Sequence, residues 1–486
     1  MGDQITISLW VFLLLVAVAL IAVLDRVLIP STRWFLRRRI NRVIDEIGTR
    51  LDIEIRPFQL TKRQVLIDRL AFDPLVIEAV QEYARACEMP LEVVQKKVIG
   101  YAKEIVPSFN AYLYFRIGYW VAKKIARLLY RVRVGVIENE AYRAVDPDST
   151  VVFVMNHRSN MDYILVAFLA AERTTLSYAV GEWAKIWPLH MLIRAMGAFF
   201  VRRRSGNPLY RRVLERYIHM ATREGVCQAV FLEGGLSRDG RLREPRLGLV
   251  DYMLRGYDPG RDRDIVFIPV GINYDRTLED RSLLRALDPE IPKRSGWFVI
   301  RTTVRFITRS LVLMVLSRWR RYGYACVNFG TPLSVRAYCR EQNLQFNTLP
   351  RSERFPQVER FCRRIMRAIA DEVPVLPVSL VANVFLDARG EGMDILEIER
   401  RINRMHSALA RRGAPVFEVH RSTRARVISE ALRMLLLRRL VTEDHGVFRA
   451  VPEESAVIAY YANAIAHWWD APAAAEASKV SRKPAP

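Results

Sequence analysis

The sequence predicts an α/β protein: a mostly parallel sheet flanked by helices, preceded by a helical bundle, followed by a small helical domain and led by one N-terminal transmembrane helix. Three observations carry this. Between residues 151 and 271, short β-branched runs alternate with helical stretches, the pattern of a parallel sheet with helical crossovers. On either side, apolar residues recur at three- and four-residue spacing, as on helices with one buried face. Ahead of all this, residues 5–24 contain no charge.

The elements follow in chain order. Ile5 to Leu24 are mostly Leu, Val, Ala and Ile, and about 20 such residues cross the hydrocarbon core of a bilayer as a helix. A cleaved signal would need a positive start and a small-residue cleavage site, but this chain begins Met1-Gly2-Asp3 and follows its apolar run with Asp25-Arg26. Arg26, Arg33, Arg37, Arg38, Arg39 and Arg42 lie after the segment, which assigns everything downstream to the cytoplasmic side of the inner membrane. Residues 45–135 are expected to be helical throughout, with periodic stretches at Leu70 to Ala86, Leu91 to Val106 and Tyr112 to Val132. Asp146-Pro147-Asp148 marks a turn, after which Val151 to Met155, Val226 to Leu232 and Ile265 to Gly271 are expected strands and Pro208 to Arg223 an expected helix. Trp297 to Trp319, with Arg301, Arg305 and Arg309 on one face beside Leu311 to Leu316, is either an interfacial segment or a core element. Arg424 to Leu440 and Val451 to Trp469 form two further expected helices, and residues 471–486 have the composition of a disordered tail. The expected domains are an anchor (1–30), a helical domain (31–140), the α/β domain (141–345), a C-terminal helical domain (346–470) and the tail (471–486).

Composition narrows the partners. A chain of 486 residues with a formal net charge of +23 calls for an anionic partner: nucleic acid, lipid head groups or phosphorylated substrates. The membrane anchor favours anionic lipid, and no nucleic acid is expected. Five cysteines, odd in number and without C-x-x-C spacing, point to a reducing compartment and no metal site.

The chemistry-bearing segments lie in the α/β region. Asn156-His157-Arg158-Ser159-Asn160-Met161-Asp162 follows a strand and opens a helix, at the sheet edge where open α/β folds bind ligands. A neutral imidazole at His157 could take a proton from an attacking hydroxyl, with Asp162 fixing its tautomer. Ser159-x-x-Asp162 equally fits a helix capping box. Gly197 to Arg204 delivers Arg202, Arg203 and Arg204 from an apolar run, and guanidinium forks bind phosphate in pairs of bonds; the same cluster also suits a solvated or lipid-facing surface. Glu233-Gly234-Gly235-Leu236-Ser237-Arg238 again follows a strand, and its glycines could let backbone amides approach a phosphate or form an ordinary turn. In Phe267 to Tyr274, Pro269 suggests an edge strand or a bulge.

In this order and spacing the four segments resemble the glycerolipid acyltransferase family, most closely its bacterial membrane-bound glycerol-3-phosphate branch. The family carries a His-x4-Asp block, a Gly-Ala-Phe-Phe-x-Arg-Arg block, a Glu-Gly-Gly-Arg-Ser-Arg block and a proline-containing strand. Ile186-Trp187-Pro188, Tyr324 to Pro332 and Tyr460 to Asn463 also look like family features, so the resemblance covers roughly residues 60–470. Two departures matter: Leu236 stands where the family has an arginine thought to help hold the acceptor's phosphate, and the chain looks shorter than the best-known members at both ends.

The resemblance implies an O-acyltransferase without a cofactor. His157 and Asp162 would be catalytic. Arg202, Arg203, Glu233, Gly234, Gly235, Ser237, Arg238 and Pro269 would shape the substrate site. The donor would be acyl-coenzyme A or acyl carrier protein, the acceptor the sn-1 hydroxyl of glycerol 3-phosphate, and the product lysophosphatidate for phospholipid synthesis. Transfer would be direct, with no covalent enzyme intermediate. Leu236 keeps other acceptors in view, dihydroxyacetone phosphate or a lysophospholipid, and the basic balance alone would also fit a non-catalytic membrane-bound binding protein.

Overall fold

A computed structural model of the chain describes residues 57–110, 114, 118–135, 139–170, 176–180, 194–202, 205–288, 322–417 and 421–470. The expected anchor with its arginines, the 297–319 segment and the tail lie outside these residues. Among the described residues, no helix is long and apolar enough to cross a membrane.

The N-terminal region is helical but more broken than its periodicity suggests. Helices α1 (Arg63–Ala71), α2 (Pro74–Ala86) and α3 (Leu91–Ile105) bury Leu70, Val76, Val94 and Val98 against one another. The expected continuous run from Leu70 to Ala86 stops at Asp73, because that carboxylate caps α2 by accepting from the Leu75 amide at 3.1 Å. Pro74 then takes the first helical position, where a missing N–H costs nothing. Helix α4 (Tyr119–Leu129) is followed by a strand, β1 (Arg131–Val134), which corrects the reading of helix through residue 135. Arg131-Val132-Arg133-Val134 alternates charge with β-branched residues, a pattern suited to a sheet edge with one solvated side.

The sheet then takes β2 (Thr150–Met155), β3 (Ser177–Val180), β4 (Phe199–Phe200), β5 (Gln228–Phe231), β6 (Ile265–Tyr274), β7 (Tyr324–Phe329) and β8 (Leu333–Ser334). Helices α5 (Met161–Ala170), α6 (Pro208–Arg223), α7 (Gly248–Leu254) and α8 (Asp280–Arg285) lie between them. The strand order is β1-β7-β6-β2-β5-β3-β4, with β8 beside β6. β2 is central and parallel to both neighbours, β5 and β6, so the carboxyl ends of all three converge on one edge. Only β7 and β8 run antiparallel to β6.

Pro269 is not on an edge strand, contrary to expectation. β6 is buried along its whole length, with β2 on one side. On its other side β8 pairs at Val266 and Phe267 and β7 takes over at Val270, so Pro269 falls at the hand-over, where no ladder donor is required of it. Two residues on, Gly271 packs against the end of a later helix: a Cβ there would stand 2.2 Å from the Glu372 backbone.

The C-terminal part comprises α9 (Val335–Gln342), α10 (Arg351–Glu372), α11 (Pro377–Asp387), α12 (Ile395–Arg411), α13 (Arg421–Leu437), β9 (Val441–Asp444), β10 (Val447–Ala450) and α14 (Ser455–Ala462). It is not purely helical. β9 and β10 form an antiparallel hairpin whose turn residues, His445 and Gly446, both adopt positive φ (48° and 79°), the geometry that matches strand twist. The expected helix from Val451 to Trp469 is likewise interrupted by 3₁₀ turns at Pro452–Glu454 and Asn463–Ile465.

Three apolar clusters result. The N-terminal helices, α6, α7, α9 and α10 share one face of the sheet, α4 and α5 cover the other, and α11 to α14 form a separate core. The separate core is tied to the sheet by a buried charge pair: Arg438 contacts Asp280 of α8 at 2.5 Å, and Tyr461 donates to the same carboxylate. Truncating one member of such a pair strands the other charge away from water. Asp280→Ala is expected to lower unfolding free energy by about 3–5 kcal/mol in urea denaturation; a change below 1 kcal/mol would show that the pair is solvated.

Candidate active site

The site grows from the end of β2. Asn156 extends the sheet with its side chain, donating to the Ile272 carbonyl at 2.9 Å and accepting from the Ile272 amide at 2.8 Å. The chain is thereby pinned to β6 just before it turns, and His157 emerges at the rim, only 1% exposed. Its ring stacks on Phe231 with centres 3.9 Å apart, and Tyr163 meets it edge-on at 5.4 Å. Nδ1 lies 2.9 Å from Asp162 Oδ2.

Asp162 Oδ2 also accepts from the amides of Arg158 (2.7 Å) and Ser159 (3.0 Å), and Oδ1 accepts from the Tyr274 hydroxyl (2.6 Å). A carboxylate surrounded by donors leaves the imidazole one role at Nδ1, that of donor. The neutral ring therefore carries its lone pair at Nε2, which is buried and has no hydrogen-bond partner among the described residues. This is the arrangement of a general base awaiting a hydroxyl.

The capping alternative is half present. Asp162 reaches back to the Ser159 amide, as a capping box requires, but the Ser159 hydroxyl accepts from Met161 instead of the Asp162 amide and donates to Glu279 at 2.7 Å. One carboxylate thus starts the helix and orients the imidazole. Glu279 also accepts from the Asn160 amide at 3.2 Å, and burial raises its pKa.

The Glu233 loop lies beside His157 because β5 is the neighbour of β2. Glu233 Oε1 accepts from the His157 amide at 3.0 Å, while Oε2 is buried without a hydrogen-bond partner among the described residues. Burial pushes the carboxyl pKa up to about 8. Gly234 turns the chain at φ +67°, and Gly235 is buried beside it. Ser237 donates its amide to the His157 carbonyl at 2.9 Å, and its hydroxyl is engaged inside the loop, accepting from Gly240 and donating to the Arg241 carbonyl at 2.7 Å. Ser237 is thus a loop former in this geometry. Leu236 packs against the C-terminal core.

The arginines expected to hold phosphate are dispersed. Arg202 is bound bidentately by Glu104, at 3.0 and 2.6 Å, and lies 5.3 and 5.0 Å from the centres of the Tyr101 and Tyr210 rings. The strand that precedes it, β4, stands three spacings from β2, roughly 14 Å to the side. Arg203 lies outside the described residues. Arg238 is exposed and donates to the Ala286 carbonyl at 2.8 Å. Pro269 pairs with Val154, inside the sheet and three residues short of the level of His157.

Sequence reasoning misses two contributors. Tyr274 supports Asp162 from the far end of β6, and its only local signal is a polar tip on a buried strand. Arg158, inside the His-x4-Asp block itself, is 2% exposed and lies over the Tyr460 ring at 5.0 Å.

Comparison with known proteins agrees with this layout. The family model "Acyltransferase" matches residues 133–273, from β1 through β6, and the model "Glycerol-3-phosphate acyltransferase C-terminal region" matches residues 310–483. Residues 133–273 thus resemble an acyltransferase domain, and residues 310–483 the C-terminal region of glycerol-3-phosphate acyltransferases. Among curated glycerolipid acyltransferases, a glycerol-3-phosphate acyltransferase of Pseudoalteromonas atlantica is 29% identical over 441 residues, covering 87% of this chain and 52% of the relative. One of Pseudomonas entomophila is 28% identical over 421 residues, covering 84% and 49%. The chain spans about half the length of these relatives. A solved 1-acyl-sn-glycerophosphate acyltransferase from Thermotoga maritima aligns with 63% of this chain and 96% of its own at 16% identity and a TM-score of 0.29, a likeness too loose to carry an argument.

The Glu233 environment has a measurable consequence. Between the ordinary value of 4.5 and about 8 the folded chain retains a proton that the unfolded chain has lost, so stability falls as pH rises through that window. The loss is roughly 1.4 kcal/mol for each pH unit crossed. Glu233→Gln cannot ionise, and its melting temperature is expected to fall less than that of wild type between pH 5 and pH 8. Parallel curves would mean that Glu233 ionises freely in the folded state.

Proposed function

We propose that this protein transfers an acyl chain from a thioester to the sn-1 hydroxyl of glycerol 3-phosphate, giving lysophosphatidate. The observation that carries the reading is the buried, unpartnered Nε2 of His157, whose other ring nitrogen is fixed by Asp162. Curated relatives named glycerol-3-phosphate acyltransferase support the choice of acceptor.

In the reaction, the acceptor hydroxyl attacks the thioester carbonyl as His157 Nε2 takes its proton. The new C–O bond forms, the C–S bond breaks, and the imidazolium returns the proton to the departing thiolate. Asp162 stabilises the positive charge on the ring while it exists, and Tyr274 and the two loop amides keep Asp162 aimed. Acyl-coenzyme A or acyl carrier protein serves as donor, and no cofactor is required by this sequence of steps. The uncharged segment 5–24 and the six arginines after it support an inner-membrane anchor with the catalytic region on the cytoplasmic side, where the basic surface would meet anionic lipid.

Purified protein in detergent, supplied with an acyl thioester and a panel of glycerol 3-phosphate, dihydroxyacetone phosphate and a lysophospholipid, is expected to acylate glycerol 3-phosphate fastest. His157→Ala is expected to lower kcat by about 10² to 10⁴. If no acceptor is acylated, or the alanine variant keeps the wild-type rate, the assignment fails. Asp162→Asn is expected to lower kcat by a similar order with little change in acceptor KM, since it disturbs the tautomer and not the binding surface; a pure KM effect would reassign Asp162 to substrate binding.

A further inference from the structure

The geometry points to Arg158 as the anchor for the acceptor's phosphomonoester, a site built by the residue next to the base and not by Arg202 beyond β4. The inference rests on the proposed acyl transfer and specifies how its acceptor is held.

Arg158 is an anomaly as a purely structural residue. Its side chain is buried, and among the described residues it has no carboxylate ion pair. Nη1 donates to the Gly240 carbonyl, while Nε and Nη2 are buried without a hydrogen-bond partner among the described residues. A guanidinium left in this state loses hydration without receiving a counter-charge, an expensive condition unless something else supplies one. Glu233 is within electrostatic range, but its own burial favours the neutral acid near pH 7. A phosphate dianion would supply that counter-charge, and two adjacent N–H donors of the fork match two phosphate oxygens.

The support beneath Arg158 is equally specific. Its amide is bound by Asp162 and its carbonyl accepts from the Tyr460 hydroxyl at 3.3 Å, so the backbone is held on both sides. The guanidinium rests on the Tyr460 ring. Gly240, whose carbonyl takes Nη1, has φ +90°, and a Cβ there would stand 2.0 Å from the Tyr460 carbonyl oxygen, so only glycine brings the loop this close. Asn463 then fixes the preceding carbonyl, that of Asp239, at 2.9 Å. The side chain is thereby oriented, with two donors left over.

Two of the expected arginines are otherwise engaged. Glu104 holds Arg202, Arg238 reaches the Ala286 carbonyl from an exposed position, and Leu236 offers no charge. Arg158 is adjacent in sequence to His157, and in glycerol 3-phosphate the phosphate and the reacting hydroxyl are separated by only three carbons. One short substrate can therefore meet both residues.

Arg158→Lys keeps the charge and loses the fork. The acceptor KM for glycerol 3-phosphate is expected to rise about 10- to 100-fold with kcat changed much less, and the donor KM is expected to stay at the wild-type value. Glycerol, which has no phosphate, is the control acceptor, and any loss with it is expected to be at least tenfold smaller than the loss with glycerol 3-phosphate. An unchanged acceptor KM, a rise in donor KM instead, or equal loss with glycerol and glycerol 3-phosphate would each overturn the assignment while leaving acyl transfer itself intact. Hydrogen exchange on the wild-type protein decides the matter independently of turnover and of the variant's folding. Inorganic phosphate is expected to slow exchange in peptides covering 156–162 and 236–241. Protection confined to 199–207 would place the anion at the Arg202 block and refute the proposal.

Discussion

The site depends on one carboxylate and the donors gathered around it. Asp162 accepts from an imidazole, two backbone amides and a phenol, which come from the loop after β2 and the end of β6. Each donor alone is an ordinary hydrogen bond; together they fix the position of the carboxylate and so decide the ring tautomer of His157. The sheet makes the gathering possible. Because β2 lies between two parallel neighbours, its carboxyl end is adjacent both to the Glu233 loop after β5 and to Tyr274 at the end of β6. A small site with three separate sequence origins is a direct consequence of strand order.

The two acids near His157 are held in opposite conditions. Asp162 is surrounded by donors, whereas Glu233 receives the His157 amide on one oxygen and is otherwise dominated by burial, which pushes its pKa up to about 8. A carboxylate faces Nδ1, and a carboxylic acid able to donate stands on the backbone side of the same residue. Similar side chains acquire different roles because one has polar partners and the other mainly burial.

The parts legible in the sequence are those set by local pattern. Pro208 to Arg223 reads as a helix because its caps and periodicity are contiguous, and the bounds coincide with α6. The hydrogen bond between His157 and Asp162 is also local, since a turn entering a helix brings residues five apart together. What the sequence hides are partners brought from far along the chain. Glu104 occupies Arg202 from 98 residues away, Tyr274 reaches Asp162 across 112, and Tyr460 reaches Arg158 across 302. Arginines in a row look equally available for phosphate, and only tertiary contacts distinguish a bound one from a bare one. Pro269 was suited by composition to an edge, yet it lies inside the sheet because two short partner strands meet opposite it. The hairpin of β9 and β10 was within reach of the sequence, through His445-Gly446 between two alternating runs.

The prop that Tyr460 and Asn463 provide beneath the 239–240 turn bears on how the protein is made. Translation delivers His157, Asp162 and Glu233 long before it delivers α14. During that interval the sheet can assemble and the imidazole can find its carboxylate, but the turn that receives Arg158 still lacks its support. Tyr460 and Asn463 therefore brace a turn whose other partner, Arg158, is made some three hundred residues earlier, and a ribosome-bound intermediate that has not yet received them would hold the His157–Asp162 pair without this brace.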